Sequence, residues 1–165
     1  MPDAGTSRAP QRVLGFDYGE WRIGVAVGDV RLESGRPLTT LHNRNADQID
    51  WEAVLALVDE WRPEAMVLGW PVDDEGRCYP VAAAIRRFGN RLRERTGLPV
   101  RVVDERLSSE QAAERLGPRA IDRDRGRLDA MAAAVILDTW FLGRLPPRRI
   151  EDVPKAEVMT NLAGG

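Results

Sequence analysis

The sequence predicts an α/β domain in which a mixed sheet is flanked by helices. Apolar residues alternate along two early segments that a short turn separates, which indicates a β-hairpin. Two later segments are continuously apolar and lie between helical patterns, which is typical of buried parallel strands. The 165 residues are enough for one domain with a complete core.

The first half of the chain predicts the hairpin, a third strand and a βαβ unit. Strands are expected over residues 13–18 and 23–28, with Gly19 in the turn between them, and over residues 36–41. Apolar residues at helical spacing predict a helix over residues 46–61, which Pro63 ends. The short apolar run over residues 65–70 predicts the next strand.

The second half predicts a helix over residues 81–96, a strand over 100–103, a short helix over 110–116 and a last helix over 127–142. With right-handed crossovers this order predicts a mixed five-stranded sheet of the RNase H-like kind, although other mixed sheets satisfy it. We expect a disordered N-terminal tail over residues 1–11, the folded domain over 12–143 and a loosely ordered C-terminal tail over 144–165.

Composition excludes several classes of site. A single cysteine, Cys78, and a single histidine, His42, exclude an internal disulfide and a Cys-rich or multi-histidine metal centre. No apolar run approaches the roughly 18 residues that span a bilayer, and the N-terminus resembles no secretory signal, so a cytoplasmic protein is expected. The net charge is −2, yet Lys155 is the only lysine, and arginine binds phosphate bidentately.

Asp17 is a carboxylate within an apolar strand. Alternation places Gly15 and Asp17 on one face of this strand, and the partner strand offers a nearly bare face at Gly24, Ala26 and Gly28. A metal ion or a phosphate backbone would fit the open space. The alternative is that Asp17 only begins the turn, as aspartate often does.

Three further acids suggest convergence. Asp104 and Glu105 follow a buried strand, at the end where open α/β sheets bind ligands, and Asp129 lies near the start of the last helix, whose alanines allow close packing on the sheet. An exposed acidic loop and a favourable helix-dipole contact are the simpler alternatives. Converging carboxylates require a cation, and oxygen ligands suit Mg²⁺ or Mn²⁺. Two such ions would support phosphodiester hydrolysis.

Four segments resemble, in order, the motifs of the YqgF/RuvX family: GFDYGEWRIGVAVGD, MVLGWPVDDEG, VVDERLSSEQA and LDAMAAAVIL. This family is described as RNase H-like Holliday-junction resolvases or pre-16S rRNA nucleases. The resemblance spans residues 12–142 and implies metal-dependent nuclease chemistry. It implies catalytic roles for Asp17 and Asp129, and comparison with related resolvases favours Glu105 as the third metal ligand, with Asp104 in support.

The chain departs from the family pattern in places. Glu20 and Trp21 stand where a threonine and a basic residue are usual, and Asp73 and Asp74 lie where an asparagine is usual. The usually lysine-rich segment before Asp129 is DRDRGR. These departures bear on contacts to the nucleic acid backbone more than on the metal ligands.

The expected partner is nucleic acid. The arginines near the acidic motifs are predicted to contact phosphates, with solvated surface charge as the alternative: Arg22, Arg106, Arg123, Arg125 and Arg127. A second candidate set lies on the helix over residues 81–96. Tyr18, Trp21 and Trp70 are either base-stacking or packing residues. Cys78 and His42 are assigned no role.

The resemblance implies an endonuclease that processes the 5′ end of pre-16S rRNA in ribosome biogenesis, or else a Holliday-junction resolvase acting on branched DNA. Symmetric cutting of a junction would require a two-fold homodimer, whereas RNA processing would not. A non-catalytic nucleic-acid-binding module of the same fold is a further alternative. A sugar-kinase-like ATPase also begins with an acid in a β-hairpin, but such proteins are much longer.

Overall fold

The computed structural model describes residues 11–45, 48–71, 81–105, 125–143 and 148–153. Six strands lie in these ranges: β1 (Arg12–Tyr18), β2 (Arg22–Asp29), β3 (Ser34–His42), β4 (Ala65–Pro71), β5 (Val100–Glu105) and β6 (Arg148–Arg149). The helices are α1 (Trp51–Trp61), α2 (Ala82–Thr96) and α3 (Arg125–Leu142), and a 3-10 turn follows β6 at Ile150–Asp152. The predicted short helix over residues 110–116 lies outside the described residues.

The strands form one mixed sheet in the order β3-β2-β1-β4-β5-β6. β1 to β3 form an antiparallel meander, and β4 and β5 continue the sheet parallel to β1. β4 lies beside β1 and β5 beside β4, and the chain reaches them through α1 and α2. The carboxyl ends of β1, β4 and β5 therefore meet at one end of the sheet, which we call the carboxyl end.

Helices cover both faces of the sheet. One face carries the larger core, in which Phe16 and Leu68 pack with Phe88 of α2 and with apolar residues of α1. The other face carries Val13, Val67 and Val103, which pack with α3. The predicted alternation of β1 is confirmed, because Leu14, Phe16 and Tyr18 belong to the first core and Val13 to the second.

The bare face predicted on β2 exists, but α3 fills it. A Cβ atom at Gly28 would lie 2.8 Å from the Phe141 ring, and one at Gly35 would lie 2.6 Å from the Ala134 carbonyl oxygen. The bare face therefore leaves no open space over Gly24 and Gly28 for the metal ion or phosphate backbone that would have fitted it. The glycines serve close helix–sheet contact, and this holds also at Gly24 beside Asp17, where a Cβ atom would overlap the Asp129 carbonyl oxygen.

The C-terminal segment also differs from the expectation. The sequence predicts a loosely ordered tail over residues 144–165, yet β6 pairs with β5, and Ile150 and Val153 are buried. Apolar contact explains the order, since Ile150 packs against Gly89 of α2 and closes the larger core. The sheet thus has a sixth strand that sequence patterning did not predict, because two residues carry no periodic signal.

Among the described helices, none combines the length and the apolar character that crossing a bilayer requires.

Candidate functional site

Two of the predicted acids flank one glycine at the carboxyl end of the sheet. Asp17 of β1 is the register partner of Gly24 in β2. The backbone of Asp129 in α3 touches Gly24 so closely that a Cβ atom there would overlap the Asp129 carbonyl oxygen. Residues more than a hundred positions apart in the chain are therefore brought to the two sides of Gly24. Asp17 is partly buried, and the Asp129 side chain is 22% exposed.

The sequence of α3 explains why Asp129 faces the sheet. Asp129, Ala133 and Leu137 recur every four residues and so share one side of the helix. A Cβ atom at Gly15 would lie 2.6 Å from Leu137 and 3.1 Å from the Ala133 carbonyl oxygen, which identifies this side as the sheet-facing one. Of these three residues, Asp129 comes first in α3 and is the one that lies at the carboxyl end of the sheet.

A second aspartate fixes the same helix at its other end. The backbone N–H of Gly35 donates a 2.7 Å hydrogen bond to Oδ1 of Asp138. This contact ties α3 to β3 across the sheet and so helps to set the position of Asp129. Sequence analysis missed Asp138, and the only available signal was a carboxylate within an otherwise apolar helix.

Arg22 supplies the positive charge at this end. Its Nε atom lies 2.8 Å from Oδ2 of Asp129, and the two side chains are 36% and 22% exposed. The Oδ2 atom itself is shielded from solvent. Arg22 was predicted to contact phosphate, but in the protein alone it forms an ion pair with a predicted catalytic acid. The Asp129 carboxylate is thus neutralised by Arg22, which lies two residues before Gly24 in β2.

Asp104 and its neighbour Glu105 are distinguished by the register of β5. The sequence predicts a strand over residues 100–103, and β5 continues two residues further, to Glu105. Asp104 pairs with Trp70 of β4, and its Oδ1 accepts a 2.8 Å hydrogen bond from Nη2 of Arg148. The Arg148 guanidinium in turn lies 6.0 Å from the centre of the Trp70 ring. Asp104 therefore lies on the face of the larger core, opposite to α3.

Position 105 is the last of β5 and pairs with Pro71. It follows Val103 by two residues, and Val103 packs on the α3 side of the sheet. Strand alternation returns position 105 to that face. The Glu105 side chain is not among the parts of the chain that the structure describes. Within the described residues, no group of three or more His, Cys, Asp or Glu side chains is arranged to hold a metal ion.

The other predicted contact residues fall into two groups. Arg127 is exposed in the first turn of α3, and the backbone of Arg125 begins the same helix. Arg106, Arg123 and the Arg125 side chain lie outside the described residues. Of the three candidate stacking residues, Tyr18 and Trp70 are buried in the larger core, whereas Trp21 is 60% exposed beside Arg22. Only Trp21 remains available to contact a base.

Comparison with known proteins adds an independent observation. The family model described as "RuvX: Holliday junction resolvase" matches residues 11–142. The chain belongs to this family. Relatives carry the name "Putative pre-16S rRNA nuclease": one from Cupriavidus necator is 46% identical over 143 residues, which cover 86% of this chain and 96% of the relative. Another, from Paraburkholderia phymatum, is 44% identical over 140 residues, covering 85% and 91%.

A solved structure supports the fold. The RuvX-family chain is similar to T. thermophilus RuvC, solved in complex with a Holliday junction substrate, with a TM-score of 0.51 and 20% identity over 84% of this chain and 99% of that one. The RNase H-like fold predicted from the sequence is thereby confirmed. Membership of the RuvX family makes the protein a nuclease, a hydrolase of phosphodiester bonds.

Proposed function

We propose that this protein is a divalent-cation-dependent endonuclease that processes the 5′ end of pre-16S rRNA in the cytoplasm. The observation that carries the proposal is the meeting of Asp17 and Asp129 on the two sides of Gly24. Asp17 and Asp129 are both partly buried, and a partly desolvated carboxylate costs free energy unless it is paired or binds a cation.

The donor chemistry fits a hard cation. Asp17, Asp129 and, by strand alternation, Glu105 would supply carboxylate oxygens from the α3 side of the sheet, and Mg²⁺ and Mn²⁺ favour such ligands. The ion pair between Arg22 and Asp129 supports this fit, since it places positive charge against the shielded Oδ2 atom. When bound, one or two such ions would lower the pKa of a water molecule and stabilise the departing oxygen.

The chain's own residues would orient the substrate. Asp17 is held on a central strand and Asp129 on a helix fixed at Gly24 and Gly35, so both carboxylates have rigid supports. Arg22 and Arg127 lie near Asp129 in space or in sequence and would contact phosphate oxygens. Arg106, Arg123 and Arg125 are proposed for the same role from their positions in the sequence. Trp21 would stack on an unpaired base beside the cut.

Asp104 would act at a distance from the reacting atoms. Its carboxylate accepts a hydrogen bond from Arg148 on the face of the sheet opposite to α3. We therefore propose that Asp104 positions the end of β5. Glu105, the neighbouring residue, is then the third proposed ligand.

Precursor rRNA is the proposed substrate because relatives that match most of the chain carry the name "Putative pre-16S rRNA nuclease". The family description favours a second candidate, a Holliday junction, which would require a two-fold homodimer for symmetric cutting. A binding module without turnover would have no need of the two converging acids.

The test is cleavage of precursor 16S rRNA and a four-way DNA junction in parallel, with Mg²⁺, with Mn²⁺ and with chelator. We expect metal-dependent cutting of the RNA and little cutting of the junction. A mock purification from host cells that do not express the protein is the control for contaminating nuclease. Cleavage that persists in excess chelator would contradict the two-metal mechanism, and binding without any cleavage would favour the binding module.

A further inference from the structure

A pocket lined by two arginines lies at the end of the sheet away from Asp17 and Asp129. It has a volume of about 310 Å³ and lies where β1 begins, β2 ends and α1 ends; its lining includes Arg12, Asp29, Leu32, Arg36 and Trp61. We call it the distal pocket. Arg12 is five residues before Asp17 on β1, so at about 3.3 Å per residue the two are roughly 17 Å apart.

Two arginines of the pocket are held by one tryptophan. The guanidinium of Arg36 lies over the Trp61 ring, 5.6 Å from its centre. Nη1 of Arg12 donates a 3.0 Å hydrogen bond to the Trp61 carbonyl oxygen, one of the acceptors that the end of α1 leaves unsatisfied. A guanidinium has five N–H donors, so each arginine keeps most of its donors for a ligand.

The charge of the pocket remains positive after its acid is taken into account. Asp29 accepts a 2.8 Å hydrogen bond from the backbone N–H of Arg31 and lies 3.5 Å from the Arg31 Nε atom. The backbone hydrogen bond from Arg31 is the main cause that lowers the pKa of Asp29, and the charges of Arg31 and Arg12 lower it further, so Asp29 stays ionised and partly offsets both arginines. Arg36 adds a second positive charge to the lining, which holds two arginines and one aspartate. Among the described residues, neither Arg12 nor Arg36 forms an ion pair.

The chemistry of the pocket fits a nucleotide unit. Arginine forks bind phosphate bidentately, and their positions here are restricted by Trp61, which lowers the entropy lost on binding. Leu32 is 74% exposed at the rim and offers an apolar surface to a sugar or base. A purely structural pair of arginines would need neither the cavity nor this exposed leucine.

We propose that the distal pocket binds a backbone phosphate of the same nucleic acid strand or duplex that is cut near Asp17 and Asp129. A separation of roughly 17 Å corresponds to about 5 base pairs of B-form duplex at about 3.4 Å per base pair, and to slightly more of an A-form RNA duplex, whose rise is smaller. The pocket would thus act as a second anchor that requires a substrate extending at least this far from the cut. This inference rests on the proposed function in two respects: that the ligand is nucleic acid and that it is cut near Asp17 and Asp129.

The test compares Arg12→Gln/Arg36→Gln with wild type in chelator, so that no cleavage occurs. Binding of a long duplex RNA is titrated at several salt concentrations. Each lost phosphate contact lowers the slope of log K against log salt by roughly 0.7 to 0.9, so two lost contacts should lower it by roughly 1.4 to 1.8. Arg62→Gln/Arg149→Gln is the matched control, because it removes the same charge from exposed residues that do not line the pocket.

Two further arms locate the ligand. An RNA that extends fewer than about 5 base pairs from the cut should show equal slopes for all three proteins. The Nε–H resonances of Arg12 and Arg36 should shift on addition of the long RNA. Equal slopes for the double variant and wild type on the long RNA would overturn the inference, as would unshifted Arg12 and Arg36 resonances when the long RNA is bound. A wild-type protein that binds no nucleic acid would instead refute the proposed function.

Discussion

The guanidinium of Arg22 lies 2.8 Å from the Asp129 carboxylate, beside the point where α3 touches β2. This pair joins a residue predicted to bind phosphate to one predicted to bind metal. It suggests that Arg22 balances the charge of the acids when no divalent cation is bound. Metal binding would then change the partner of Arg22 from a carboxylate to a phosphate.

The first prediction concerns this pair. Arg22→Ala should lower the free energy of unfolding by up to about 1 kcal/mol in chelator, because Asp129 then lies near Asp17 without its counter-charge. The same variant should bind Mn²⁺ more tightly, since a competing cation has been removed. Thermal unfolding with and without Mn²⁺, together with calorimetric titration, would measure both effects. Arg22→Lys is the control that keeps the charge, and weaker Mn²⁺ binding by Arg22→Ala would contradict the competition.

The second prediction concerns Asp17. Asp17→Asn should retain the fold and keep or raise Tm in chelator, because one of two neighbouring charges is removed. Cleavage should fall by more than about 100-fold, beyond the loss that follows removal of a residue that only supports a metal ligand. Circular dichroism and single-turnover assays would be run on the same preparations. An active variant would return Asp17 to the role of a turn former.

The third prediction separates Asp104 from Glu105. Asp104→Asn and Arg148→Ala should each destabilise the fold by about 1 kcal/mol or less, and the double variant should show coupling, since the two residues share a hydrogen bond. Cleavage should fall only modestly in these variants. Glu105→Gln should abolish cleavage with little change in stability. The reverse order of effects would make Asp104 the metal ligand.

The fourth prediction tests the close contact at Gly24. Gly24→Ala should displace the start of α3, because the new Cβ atom meets backbone rather than a movable side chain. Stability should fall by about 1 to 3 kcal/mol, and cleavage should fall further than unfolding explains. Gly89→Ala is the matched control, since its Cβ atom would lie 2.6 Å from Ile150, away from the acids. If Gly24→Ala and Gly89→Ala lost cleavage to the same extent at a temperature where both are folded, the contact at Gly24 would have no specific role in positioning Asp129.

The sequence alone was sufficient for the order of the main strands and helices and for the alternation of β1. These features depend on local patterns, because a strand repeats every two residues and a helix every 3.6. The four motifs were likewise readable without a structure, and their family is confirmed. Asp17 and Asp129 could be selected as candidates, but their meeting at Gly24 remained an expectation.

The tertiary structure determined which contacts are made between segments that are distant in the chain. The bare strip on β2 suggested room for a ligand, yet the backbone of α3 fills most of it. The faces of Asp104 and position 105 depended on how far β5 extends, which pairing with β4 determines. The contacts of Arg22 with Asp129, and of Arg148 with Asp104, join residues 107 and 44 positions apart. No local periodicity encodes such pairs, because packing of the whole sheet and its helices sets which side chains meet.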